Sequence, residues 1–107
     1  MNRGWVRLWR KITEDEVFQD PVLLKMFLWG LLKASHKEIA VPVKTGRGVT
    51  MIRLKPGQFI FGRNQAAKEL RLTPSGTRNK SVKLETLQIW DIKPDTHFSI
   101  VTLRNWE

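Results

Sequence analysis

Apolar positions along the chain follow two spacings, and the places where the spacing changes divide it into elements. Trp5, Leu8, Trp9 and Ile12 recur three and four residues apart, which fits one face of a short helix. Asp20-Pro21 reads as a helix start, because an Asp carboxylate can accept from the orphan amides of a first turn and Pro needs no amide partner there. This helix is expected to run to about Ser35, with Leu24, Phe27, Leu28, Leu31 and Leu32 as a wide apolar stripe. Lys25 and Lys33 would then turn to water. Between residues 39 and 60 the pattern changes to short β-branched runs broken by Thr45-Gly46-Arg47-Gly48 and Lys55-Pro56-Gly57. Two hairpin turns and a small antiparallel sheet are predicted.

Residues 63–71 predict a short helix with Ala66, Ala67 and Leu70 inward. Thr73-Pro74 is a second cap-plus-proline start, and the helix it opens should reach about Leu87 with Thr77, Ser81, Leu84 and Leu87 inward and Val82 outward. Two helices joined by a turn of about three or four residues have the helix-turn-helix geometry. Strand-like runs at 89–92 and 98–103 flank Lys93-Pro94-Asp95-Thr96-His97, a turn-rich segment suited to a hairpin that would form a wing. The expected fold is α+β, a winged helix-turn-helix in one domain spanning 1–107. Its parts are N-terminal helices (1–36), a β-hairpin region (39–61), the helix-turn-helix (63–87) and the wing (89–103).

Composition narrows the function. A chain of 107 residues with 41 % hydrophobic residues and five tryptophans can bury a core without staples. The absence of cysteine excludes disulfides, thiolate catalysis and cysteine-ligated zinc or iron–sulfur sites. The most apolar stretch, 22–32, is broken by Lys25 and Gly30 and is too short to span a bilayer, and the first residues do not resemble a signal peptide. A cytoplasmic protein with no membrane partner is expected. His36 and His97 are isolated in sequence, so no metal and no cofactor is expected. With no nucleophile motif and no phosphate-binding glycine loop, catalysis is not expected either. Glu14, Asp15, Glu16 and Asp20 precede a helix, where acids favour its amide dipole.

Nineteen Lys and Arg against ten Asp and Glu give a formal charge of +9, which suits a polyanion, an acidic protein or plain solubility. Position sharpens this: from residue 63 to 83 there are six basic residues and only Glu69 opposes them. In a helix-turn-helix the second helix offers its N-terminal half to the major groove. Its outward residues are Ser75, Gly76, Arg78, Asn79 and Lys83. Arg78 suits guanine and Asn79 adenine, whereas Ser75 and Lys83 suit phosphates. Arg63, Lys68 and Arg71 are further backbone candidates, and Lys93 with His97 would sit on the wing. Each of these is also consistent with a solvated surface. The tryptophans, Trp5, Trp9, Trp29, Trp90 and Trp106, fit the core better than base stacking.

Taken in order, several segments resemble the N-terminal winged-helix domains of phage and prophage replication proteins, which are related to DnaD-type primosome proteins. They are Gly4-Trp5-Val6-Arg7-Leu8-Trp9-Arg10-Lys11-Ile12, Asp20-Pro21, Leu32-Lys33-Ala34-Ser35-His36-Lys37, Pro56-Gly57-Gln58-Phe59-Ile60, Ala67-Lys68-Glu69-Leu70 and Phe98-Ser99-Ile100-Val101-Thr102-Leu103-Arg104-Asn105-Trp106. The resemblance implies a winged helix serving phage DNA replication, with replication-machinery proteins contacted through a further domain beyond the position of Glu107. Double-stranded DNA is the expected partner, bound more firmly by a homodimer. Relatives tend to carry aliphatic residues where Thr77 and Ser81 stand. Two other roles fit the same pattern. One is a prophage transcriptional regulator; the other is a self-assembly module using the N-terminal helix and the hairpin at 41–54.

Overall fold

In the computed structural model, which describes residues 10–46, 48–95 and 97–104, a 3₁₀ turn (Arg10–Glu14) buries Ile12 and leads into a short helix α1 (Glu16–Gln19). The helix expected through Trp5, Leu8 and Trp9 lies outside the described residues, as does Trp106. Asp20 caps helix α2 (Pro21–Lys33), accepting from the amides of Val22 at 3.0 Å and Leu23 at 3.3 Å, and Pro21 stands at the first position. The start is where Asp20-Pro21 predicts it.

The buried face of α2 differs from the expected stripe. Leu23, Met26 and Gly30 are buried and Ala34 continues the row, while Leu24, Phe27, Leu28 and Leu31 flank it and Leu32 is 67 % exposed. Residues 22–32 are apolar nearly all round, so periodicity alone does not select a face. Gly30 selects it. A Cβ there would lie 2.9 Å from Cζ2 of Trp90 and 3.3 Å from Cζ of Phe59, so only glycine lets the sheet approach this closely.

Strands β1 (Ile39–Thr45) and β2 (Gly48–Leu54) pair antiparallel from Ile39↔Leu54 to Thr45↔Gly48 as a two-stranded ribbon. Strand β3 (Gln58–Phe61) does not join them. It pairs with β5 (Ser99–Leu103), which also pairs with β4 (Trp90–Pro94), so a separate sheet has the order β3-β5-β4. The expectation of a second hairpin at Lys55-Pro56-Gly57 is therefore corrected: that turn passes the chain from one sheet to the other. The cause is in the backbone. Gly57 has φ 85°, its amide donates to the Ser35 carbonyl at 2.9 Å, Ser35 donates to the Gln58 carbonyl at 2.9 Å, and Leu103 donates to the Gly57 carbonyl at 2.8 Å. These bonds commit Gly57 and Gln58 to the end of α2 and to β5 rather than to β2.

Alternation places Phe59, Phe61, Val101, Leu103 and Trp90 on the inner face of this sheet, all buried. Trp29 of α2 meets Phe59 at 5.6 Å and Phe61 at 6.2 Å between ring centroids. Trp90 meets the same two rings at 5.4 and 5.6 Å, and every pair is edge-to-face. Such pairs add about 0.5–1.5 kcal/mol each beyond their buried area. Helices α3 (Arg63–Leu70) and α4 (Pro74–Thr86) complete the core through Ala66, Ala67, Leu70, Thr77, Ser81 and Leu84, the inward positions their spacing predicts.

Polar contacts from Lys25, Trp29 and Lys33 lock α2 to α3. Lys25 donates to the Leu70 carbonyl at 2.7 Å, meeting an orphan acceptor at the end of α3 rather than only water. Glu69 accepts from Gln65 at 3.1 Å, from Trp29 Nε1 at 3.0 Å and from Lys33, whose Nζ lies 3.0 Å from Oε1. Gln65 first, then Lys33 and Trp29, hold the Glu69 carboxyl down from 4.5 to about 2.

Replacing Gly30 by alanine normally favours a helix by ~1 kcal/mol; here overpacking against Trp90 outweighs that, and urea unfolding should show a net loss of about 1–2 kcal/mol. Because folded Glu69 ionises more readily than unfolded Glu69, its contribution is complete above pH about 4.5 and fades as pH falls toward about 2. Thermal melts of Glu69→Gln should accordingly lie below wild type at pH 7 and converge with it near pH 2.

Candidate nucleic-acid interface

Helices α3 and α4 are joined by Arg71, Leu72 and Thr73 alone, and the geometry of both ends is fixed by hydrogen bonds. Arg71 adopts the left-handed conformation (φ 59°, ψ 47°), its amide donating to Lys68 at 3.3 Å while the Leu72 amide reaches the Ala67 carbonyl at 2.9 Å. This is the Schellman arrangement with arginine where glycine is usual. The end of α4 repeats it: Gln88 has φ 63° and the Ile89 amide donates to the Leu84 carbonyl at 3.0 Å. Thr73 opens α4, its Oγ1 accepting from the Gly76 amide at 3.0 Å.

The buried polar residues of α4 are satisfied locally. Thr77 Oγ1 donates to the Thr73 carbonyl at 2.9 Å, and Ser81 Oγ donates to the Arg78 carbonyl at 2.7 Å. Hydroxyls that bond their own helix can face a core without an unmet donor. They occupy the inward row as the helical spacing predicts.

On the opposite side of α4, Ser75, Arg78, Asn79, Val82 and Thr86 are exposed. The flank toward α1 and α2 has a different character. Lys83 Nζ lies 2.8 Å from Glu16 Oε2, and Lys80 is ion-paired with Asp20, the cap of α2. Lys80 holds the Asp20 carboxyl below its usual range against the opposing effect of burial, with the amides of Leu23 and Val22 assisting. Lys83, expected to be a phosphate ligand, is thus engaged by an acid, and Lys80, which the sequence did not single out, is engaged as well. Asp20 and Lys80 are 60 residues apart, so no spacing could reveal the pair.

Arg78 carries no acid partner among the described residues, and it lines a cleft of about 390 Å³ between α4, the start of α3 and the β4–β5 hairpin. Arg63 and His97 share this cleft, over an apolar floor that includes Phe61, Val82 and Phe98; Glu85 and Asp95 are its acids. Gly62, also in its lining, is the cap residue of α3 and supplies no side-chain acceptor to that helix start. The first-turn amides are left open beside two arginines, an arrangement favourable to an anion.

The remaining candidates are spread out. Lys68 and Arg71 are exposed on α3 and its turn. Lys93, opposite Ile100, lies on the sheet face away from the buried Trp90 row and outside the cleft. His97 Nε2 accepts from the Gly46 amide at 3.4 Å, so the turn of the β1–β2 ribbon touches the β4–β5 hairpin. Among the described residues no three His, Asp or Glu side chains form a group able to hold a metal, and no helix is long and apolar enough to cross a membrane.

Gly62 has φ −121° and open space where a Cβ would stand, so Asp fits there. Gly62→Asp should raise stability by about 0.5 kcal/mol in denaturant titrations, by capping α3 and opposing its dipole. The chain matches no family model, no curated protein and no solved structure, so the arrangement of its own residues is what supports a function.

Proposed function

We propose that the chain is a winged helix-turn-helix that binds duplex DNA, with α4 in the major groove and the β4–β5 hairpin as the wing. The observation that carries this reading is the split of α4 into two sides. Toward α1 and α2 its lysines are neutralised by Glu16 and Asp20, while Ser75, Arg78 and Asn79 stay exposed. Arg78 and Asn79 are side chains able to pair with guanine and adenine edges. Arg63 and the uncapped start of α3 border the same side and suit a backbone phosphate, a contact that adds affinity without sequence information. Order supports it too: helix, strand, two helices joined by three residues, then two hairpin strands that complete one sheet with that strand.

The resemblance to phage and prophage replication domains favours a role in replication initiation or primosome assembly over transcriptional regulation. A second reading has its own observation. The β1–β2 ribbon exposes Val49 (63 %) and Met51 (60 %) on the face that also carries Ala40 and Pro42, a surface suited to protein contact. It is compatible with DNA binding elsewhere.

Fluorescence anisotropy of labelled duplexes across a salt series tests the DNA reading. Wild type should bind with a steep salt dependence. Arg78→Ala should relax base preference by about 1–3 kcal/mol at one position, and Gly62→Asp should weaken binding although it stabilises the fold. Glu16→Gln releases Lys83 and should tighten binding by up to about fivefold, the equivalent of an exposed ion pair. No binding at low salt, or equal affinity of wild type, Arg78→Ala and Gly62→Asp, would overturn the proposal.

A further inference from the structure

Val82 is the aliphatic side chain on the exposed side of α4, at the edge of the apolar lining of the cleft rather than in the core. It is 46 % exposed, while Thr77, Ser81 and Leu84 fill the core. A β-branched residue at an exposed helix position carries a small propensity cost, and nearly half of this residue's surface stays open to contact. Its neighbours are chemically informative. Val82 stands three residues after Asn79 and four after Arg78, so the three side chains form one patch, with Ser75 a further turn back. It also borders the cleft toward the β4–β5 hairpin, beside Arg78 and Glu85.

We infer that Val82 is a specificity-determining residue that contacts the C5-methyl group of a thymine in the major groove. This rests on the duplex-DNA reading above and adds to it a base that polar contacts alone do not select. Among the four bases only thymine shows an apolar group on its major-groove edge, so a lone methyl-bearing side chain amid polar readers has one complementary target. The spacing fits. A separation of three to four residues advances about 4.5–6 Å along a helix, against about 3.4 Å per base step. The thymine therefore lies one or two steps from the base contacted by Arg78 or Asn79.

The test begins with selection of preferred duplexes from a random library by the full chain. Each thymine of the selected site is then replaced in turn by deoxyuridine, which removes the methyl and keeps every hydrogen-bonding group. Wild type should lose about fourfold in affinity at one such position, the equivalent of ~0.8 kcal/mol for one buried methyl. Val82→Ala should bind the thymine site about fourfold more weakly than wild type and show no further loss on the deoxyuridine site. Its thermal melt should match wild type, because the side chain is not part of the core. Deoxyuridine without effect at every position, or an equal loss for wild type and Val82→Ala, would overturn the inference while leaving duplex binding intact. Binding without base preference, or a selected site with no thymine, would overturn it too. Failure to bind duplex at all would remove the DNA reading itself.

Discussion

The closeness of α2 to the β3-β5-β4 sheet depends on a single missing methyl group. At Gly30 the helix backbone meets the edge of Trp90, and around that contact Trp29, Phe59, Phe61 and Trp90 close a ring of edge-to-face pairs. Helix and sheet have no freedom to slide past each other while four large rings interlock, since any displacement opens a void or a clash. Everything at the proposed interface is referred to this frame. The chain leaves Phe61 directly into Gly62 and α3, and Trp90 begins the strand that follows α4. The two helices are therefore hung between two of the interlocked residues.

Charge is distributed with comparable economy. The chain carries +9, and three of its ten acids join helices of the core: Glu69 joins α3 to α2, and Glu16 and Asp20 face α4. Asp20 has two tasks, capping α2 and pairing with Lys80. Acids so placed neutralise the flank of α4 that faces α1 and α2, while Glu85 lies on the side that carries Arg78.

Much of this was legible in the sequence where the signal is local. Asp20-Pro21 and Thr73-Pro74 located two helix starts, because caps and prolines act within one turn. Ala66, Ala67, Leu70, Thr77, Ser81 and Leu84 were legible as inward, because each stands in a helix with enough polar residues to define a face. The face of α2 was not, since an almost uniformly apolar segment has no periodicity to read and the deciding contact lies 60 residues away in Trp90. The partner of β3 was hidden for the same reason: a turn sequence states that the chain reverses, not which strand awaits it. On α4, the exposure of Arg78 and Asn79 was legible from helical geometry, whereas the engagement of Lys83 by Glu16 and the bare cap at Gly62 required the assembled chain.

The order of strands in the second sheet has a consequence for how the molecule comes together. Its central strand, β5, follows both of its neighbours in the chain, and β3 must wait for a partner whose Thr102 is 44 residues beyond Gln58. The β1–β2 ribbon closes locally, on the order of microseconds, while β3 has to pay the loop-closure entropy of a long intervening segment. During synthesis, then, Phe59 and Phe61 emerge with no strand to lie beside until the chain has reached Leu103. In that interval α3 and α4, whose turns are closed by their own hydrogen bonds, are the parts able to order first. The sheet that positions them is the last to arrive.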